Sequence, residues 1–272
     1  MNYRHAYHAG NFADCFKHAL LVLLLDSLAR KPKPFFVLDT HAGAGRYDLD
    51  AEAARRTAEA NSGILRLLQR PSANLERYLG LVRQLGLYPG SPVLTGAVLR
   101  HGDRLVCCEL QQDDAAKLRR VFRQDPRVEV HERSGWEALN ALLPPREKRG
   151  LLFIDPPFEA TGEFSTLVDG FRCGHDRFGH AMSAAWYPIK HMAPVRHFHA
   201  ELASLGIRDI VTVELYLREP TNPGRLNGCG LVVINPPYQF EDQALSIAMA
   251  ILEGIGDDEN GRAVSVARLA DE

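Results

Sequence analysis

The apolar run Leu151-Leu152-Phe153-Ile154 leads straight into Asp155-Pro156-Pro157-Phe158. Proline fixes φ and carries no N–H, so such a turn presents its carbonyl oxygens in a set direction with little freedom left to lose on binding. A carboxylate beside a proline carbonyl offers two acceptors to one planar amine. The exocyclic N6 amine of adenine needs such acceptors. Its lone pair is delocalised into the ring, and it attacks a sulfonium methyl poorly until hydrogen bonds draw the nitrogen toward tetrahedral geometry. Phe158 adds an aromatic face, and stacking is worth about 1–3 kcal/mol per base for a nucleotide swung out of a helix or taken from a loop. Asp155, Pro156, Pro157 and Phe158 therefore form the candidate catalytic turn, with Phe158 also a substrate contact.

A second constellation lies upstream. Val37-Leu38-Asp39-Thr40-His41-Ala42-Gly43-Ala44-Gly45 is an apolar strand running into a loop of small residues, where missing side chains let a ligand approach backbone N–H groups; Gly43 and Gly45 are the residues expected to open it. The dinucleotide fingerprint needs a third small residue three places on, but Asp48 stands there, which argues against a dehydrogenase. An acid at the end of the next strand can accept both ribose hydroxyls of an adenosine, and Glu109 follows Leu105-Val106-Cys107-Cys108. Ser134-Gly135 offers a small polar turn for an adenine edge. His18 and His41 read from the residues alone as polar packing or capping groups.

Asn235-Pro236-Pro237-Tyr238 repeats the proline-turn pattern after another apolar run. Sheet order decides between the two copies. Ligands bind where strand order reverses, beside the first and fourth strands, whereas Asn235 follows the last expected strand.

Short apolar runs alternate with amphipathic stretches from Phe35 onward, as parallel strands joined by crossover helices do. Strands are expected near Phe35–Thr40, Arg104–Glu109, Arg127–His131, Leu151–Asp155, Ala181–Tyr187, Asp209–Leu215 and Gly230–Asn235. That pattern is an α/β, Rossmann-like, doubly wound fold with a seven-stranded sheet. Glu52–Leu87 is too long for an ordinary connection and spaces Ile64, Leu67, Leu75, Tyr78, Leu79 and Val82 as helices do, so 52–88 is expected to be an inserted helical subdomain. Pro89-Gly90-Ser91-Pro92 closes it, with Ser91 the expected N-cap. Residues 1–34 hold a polar, aromatic, slightly basic segment followed by a helix from about Ala13 to Leu28, and the whole 1–272 reads as one catalytic domain.

These motifs together resemble the bacterial family of 23S ribosomal RNA adenine N6-methyltransferases, large-subunit methyltransferase J type, over nearly the whole chain. The residues that carry the resemblance are Tyr3-Arg4-His5, His8-Ala9-Gly10-Asn11, Lys17-His18, Leu38 through Tyr47, Tyr88-Pro89-Gly90-Ser91-Pro92, Asp155-Pro156-Pro157 and Trp186-Tyr187-Pro188. The resemblance implies a class I S-adenosyl-L-methionine-dependent fold and methyl transfer to one adenine of 23S ribosomal RNA, adenine-2030 by family assignment. It also implies cofactor contacts from His18, His41, Ser91, Glu109, Ser134, Gly135 and Asp155, Asp155 as proton acceptor, and substrate contacts from Tyr3 and Arg4. Two departures stand out: the family commonly has an acid where Ser134 stands and tyrosine where Phe158 stands. Serine still hydrogen-bonds an adenine amine, and phenylalanine keeps the stacking face.

Lys plus Arg number 32 against 34 Asp plus Glu, so RNA contact must use a local patch and not a whole-molecule field. Arg172–His199 is one such patch, with Arg172, Arg177, Lys190 and Arg196 among aromatic residues. Five cysteines without a C-x-x-C pair fit neither a disulfide framework nor a zinc cage, and the histidines of the same region lack zinc-site spacing, so no metal is expected. The longest apolar run, Ala19 to Leu25, is too short for a bilayer; the expectation is a cytoplasmic monomer that meets RNA and no membrane. The rival readings are methylation of adenine in DNA, protein-glutamine methylation through Asn235, and a non-catalytic protein that binds RNA or cofactor.

Overall fold

Asn11 starts the first helix, its side chain accepting from the backbone N–H of Asp14 at 2.9 Å. Helix α1 (Phe12–Ala29) is buried on nearly every face, so the burial of its polar residues Asp14, Lys17 and His18 marks them as internal groups. The protein is seen here as a computed structural model that describes residues 7–256 and 259–271. Tyr3 and Arg4, the expected substrate contacts, lie outside those residues.

In chain order there follow β1 (Phe36–Asp39), β2 (Arg46–Tyr47), four helices, α2 (Glu52–Thr57), α3 (Glu59–Ser62), α4 (Ile64–Gln69) and α5 (Glu76–Leu85), then β3 (Tyr88–Pro89) and α6 (Ser91–Val98). The doubly wound portion continues through β4 (Arg104–Glu109), α7 (Gln112–Val121), β5 (Val128–Glu132), α8 (Gly135–Ala141), β6 (Gly150–Ile154), α9 (Glu163–Phe178), β7 (Met182–Ile189) and α10 (Met192–Ala203). It closes with β8 (Ile210–Tyr216), β9 (Gly228–Ile234), α11 (Phe240–Ile255) and β10 (Ala263–Ala270).

The main sheet has eight strands in the order β10-β8-β9-β7-β6-β1-β4-β5, and β2 pairs with β3 in a separate ribbon. Seven strands were expected; the eighth, β10, is an antiparallel edge strand on β8 whose alternating, half-exposed residues give no apolar run. Strands β7, β6, β1, β4 and β5 are parallel, and order reverses between β1 and β6, which are direct neighbours. Strand alternation divides the core. Val37, Leu151 and Phe153 face the layer holding α1 and α11, while Phe36, Leu38, Leu152 and Ile154 face α8, α9 and α10. Both faces are covered, which is why these strands read as continuous apolar runs.

Candidate active site

The switch point between β1 and β6 opens into a cleft of about 920 Å³, with Asp155 on its floor. The Asp155 carboxylate is largely buried, and its Oδ2 accepts from Lys17 Nζ at 2.5 Å. Lys17 also pairs with Asp14 at 3.0 Å and lies 5.9 Å from the Trp186 ring centroid. Lys17 thus holds the Asp155 carboxylate by one oxygen and leaves the Oδ1 side for another donor. Phe158 sits at φ 51° and meets Phe164 and Trp186 edge-on at centroid distances of 5.1 and 5.8 Å, so its ring belongs to an aromatic wall beside Asp155.

The opposite end of the cleft is built from backbone and carboxylates. Glu109 accepts from the Gly43 N–H at 2.8 Å and from the Gln111 N–H at 2.7 Å, which fixes its carboxylate at the cleft wall; burial still pushes its pKa up. Gly135 starts α8 against the end of β1, where an added Cβ would stand 2.1 Å from the Thr40 carbonyl oxygen. His41 lies within 2.7 Å of the Thr40 hydroxyl, meets Trp136 edge-on, and is driven by burial to a pKa of about 4, so it is a neutral imidazole. His18 lies 3.0 Å from the Tyr88 hydroxyl, itself 3.1 Å from that of Tyr78.

Of the expected site residues, His18, His41, Gly43, Ser91, Glu109, Ser134, Gly135 and the turn 155–158 all line this one cleft. Gly45 does not. Its carbonyl accepts from Gly90, and its α-carbon faces Leu118 and Val93 behind the cleft wall. Ser91 is inside α6, with Gly90 as the N-cap, because its hydroxyl donates instead to Asp39 Oδ2 at 2.7 Å. Asp39 and Lys17, named in the sequence only within longer motifs, join the site here. Desolvation raises the Asp39 pKa to about 7, against the lowering effect of Ser91, and its Oδ1 has no hydrogen-bond partner among the described residues. The signal for Lys17 was present: a lysine inside the apolar run of α1, one turn after Asp14.

Asn235 belongs to the other end of the molecule. Strand β9 runs antiparallel to β7, so the end of β9 pairs with the start of β7. The Asn235 side chain donates to the carbonyls of Gly179 and Ala181 there, securing the entry to β7. The basic stretch 172–199 is likewise divided: Arg172 pairs with Asp169, Arg177 donates to the Leu143 carbonyl, and among its four basic residues Lys190 alone lines the cleft. Among the described residues no cluster of three His, Cys, Asp or Glu side chains is arranged to hold a metal, and no helix is long and apolar enough to cross a membrane.

A doubly wound sheet with a carboxylate, a small-residue loop and an aromatic wall at its switch point defines a ligand-binding α/β enzyme. Residues 32–267 match the family described as Ribosomal RNA large subunit methyltransferase D, RlmJ. The chain is 40% identical over 251 residues to Ribosomal RNA large subunit methyltransferase J of Escherichia coli (strain K12), covering 89% of this chain and 90% of that protein. It is 36% identical over 256 residues to the protein of that name from Haemophilus influenzae, covering 91% of each. The crystal structure of protein LPL1258 from Legionella pneumophila superposes with a TM-score of 0.87 at 33% identity, covering 96% of this chain and 98% of that one. This chain belongs to the RlmJ family of ribosomal RNA large subunit methyltransferases.

Proposed function

We propose that the protein transfers a methyl group from S-adenosyl-L-methionine to the exocyclic N6 of one adenine in 23S ribosomal RNA, adenine-2030 by family assignment. The observation that carries this reading is Asp155, held by Lys17 on the cleft floor between the Glu109–Gly43 end and the Phe158–Trp186 wall.

The donor set fits the cofactor. Glu109 presents a fixed carboxylate to ribose hydroxyls, and Ser134 and Gly135 form a small polar edge suited to adenine. His18, His41, Gly43 and Ser91 complete the lining on that side. When bound, S-adenosyl-L-methionine supplies a methyl made electrophilic by its cationic sulfur. Asp155 Oδ1 and the Pro156 carbonyl accept the two amine hydrogens and draw the N6 lone pair out of conjugation. Phe158 stacks on the base and keeps it flipped into the cleft. On transfer of the methyl that S-adenosyl-L-methionine would supply, the carboxylate of Asp155 would receive the proton that the amine gives up.

In this reading residues 1–272 form one catalytic domain, 52–88 an inserted helical subdomain and 1–34 the segment that brings Tyr3 and Arg4 to the RNA. The protein works as a monomer in the cytoplasm, where that RNA is made. The test is to incubate the purified chain with labelled cofactor and large-subunit RNA from a strain lacking the activity, then digest and separate the nucleosides. Label in N6-methyladenosine is expected; label in another nucleoside, or in DNA in preference to RNA, refutes the reading. Tyr3→Ala should weaken RNA use more than cofactor binding.

A further inference from the structure

Strand polarity sets which loops face the reacting end of the cleft. Strand β8 is antiparallel to β9, and β9 to β7, so β8 runs with β7 and β6, and its carboxyl end lies on the side of Asp155. The crossover from β8 to β9, residues 217–227, and the residue after β7, Lys190, therefore border the cleft on the side away from Glu109. Three cations line it there: Lys190, Arg218 and Arg225.

Their balance with acids is uneven. Glu259 pairs with Arg218 at 2.7 Å and approaches Arg225 at 3.5 Å, so one carboxylate is shared between two guanidinium groups. The exposed Lys190 has no carboxylate partner among the described residues, and Arg225 is exposed. By contrast the rest of the described lining carries acids: Glu109 and Asp114 at the cofactor end, Asp14 and Glu59 on the α1–α3 side, and Glu159 and Glu163 just after the 155–158 turn. Among the described residues that line the cleft, cations outnumber acids at the β7–β8–β9 rim.

The rim is also built to hold its shape. Asn227 is fully buried, and its side-chain amide donates at 2.8 Å both to the Lys190 carbonyl and to the Asn222 carbonyl, while its backbone N–H donates to Ile189. Arg218 donates to the Leu226 carbonyl, and the Arg225 N–H to the Asn222 carbonyl. One asparagine thus ties the crossover loop to the end of β7 and fixes Arg225 relative to Lys190. Ordering already done in the free protein is ordering that RNA binding need not supply.

We propose that Lys190, Arg218 and Arg225 form a phosphate clamp that grips the RNA backbone next to the nucleotide entering at Asp155, with Asn227 as its positioning residue. This rests on the reading that an RNA base reaches Asp155. Backbone contacts of this kind set register and orientation and leave base choice to the cleft.

The test uses the full chain with protein-free large-subunit ribosomal RNA as the probe. Arg225→Gln and Lys190→Gln should each raise the dissociation constant for RNA about tenfold or more. Each should also flatten the slope of log affinity against log salt by about 0.7 per lost phosphate contact, and the double variant by about twice that. Arg225→Lys should keep most of the affinity, which separates lost charge from a disturbed loop, and cofactor affinity measured without RNA should not move. Wild-type slope and affinity in both glutamine variants, while the wild-type protein methylates RNA, would overturn the clamp. Failure of the wild-type protein to bind or methylate RNA would overturn the underlying reading instead.

Discussion

Replacing Asp155 by asparagine keeps the shape of the side chain and changes what it can accept. In the protein its Oδ2 is 2.5 Å from Lys17 Nζ, so an amide in that position must turn its oxygen to the ammonium and its NH2 toward the amine of the base. A donor then faces a donor. Loss of one preorganised electrostatic partner costs about 10²–10³ in kcat, and loss of a positioned proton acceptor about 10²–10⁴. The two roles belong to one carboxylate and are not additive, so kcat should fall by about 10²–10⁴ in D155N and at least as far in D155A. Stability should suffer less. Removing one partner of a buried ion pair costs about 3–5 kcal/mol when the other charge is stranded, but Lys17 keeps Asp14 at 3.0 Å. A cost of about 1–3 kcal/mol is expected, a melting shift of roughly 2–12 °C for a chain of this size. Single-turnover transfer of labelled methyl, calorimetric cofactor titration and thermal denaturation separate these effects. Turnover within tenfold of wild type, or a loss explained wholly by weaker cofactor binding, would refute the mechanism.

Three further outcomes follow from the same geometry. Asn235→Ala removes two hydrogen bonds at the entry to β7 and should cost about 1–3 kcal/mol in urea denaturation with turnover per folded molecule unchanged; selective loss of activity would revive Asn235 as the working turn. Gly135→Ala places a Cβ 2.1 Å from the Thr40 carbonyl oxygen, forcing β1 and α8 apart, and should cost about 1–3 kcal/mol in melting experiments and weaken cofactor binding in calorimetry. Asp39 has a folded pKa of about 7 against an ordinary carboxylate value of 3.8, so between those values the folded chain holds the extra proton. Its contribution to stability is then fully present below about pH 4 and lost as pH rises through 7, and Asp39→Asn should flatten the stability profile over that window by denaturant titration.

What the sequence disclosed depended on how local each feature was. Parallel strands covered on both faces, such as β1 and β6, are continuous apolar runs, and the turns at their ends adjoin them in the chain, so the groups at 41–43, 109, 134–135 and 155–158 could be named. Strand β10 pairs only at an edge and interleaves Ser265 and Arg268 with its valines, and the two-residue strands β2 and β3 are shorter than any period. Contacts between distant residues left little trace. Lys17 reaches Asp155 across 138 positions and Ser91 reaches Asp39 across 52, so in the sequence the first had no role beyond its place in the Lys17-His18 motif and the second read as a helix cap.

The two proline turns show where residue identity stops deciding function. Asp155-Pro156-Pro157-Phe158 and Asn235-Pro236-Pro237-Tyr238 each follow an apolar strand, each carry a hydrogen-bonding side chain and an aromatic ring, and either could hold a planar amine. Strand direction separates them. Strand β6 is parallel to β1 and delivers its turn to the switch point beside Lys17, while β9 reverses and delivers its turn to the far edge, where Asn235 secures the start of β7 and Tyr238 is 84% exposed. The same reversal brings the start of β9, with Asn227 and Arg225 before it, to the rim of the cleft. An antiparallel β9 therefore carries one copy of the motif away from the cleft and places the basic crossover loop at its rim.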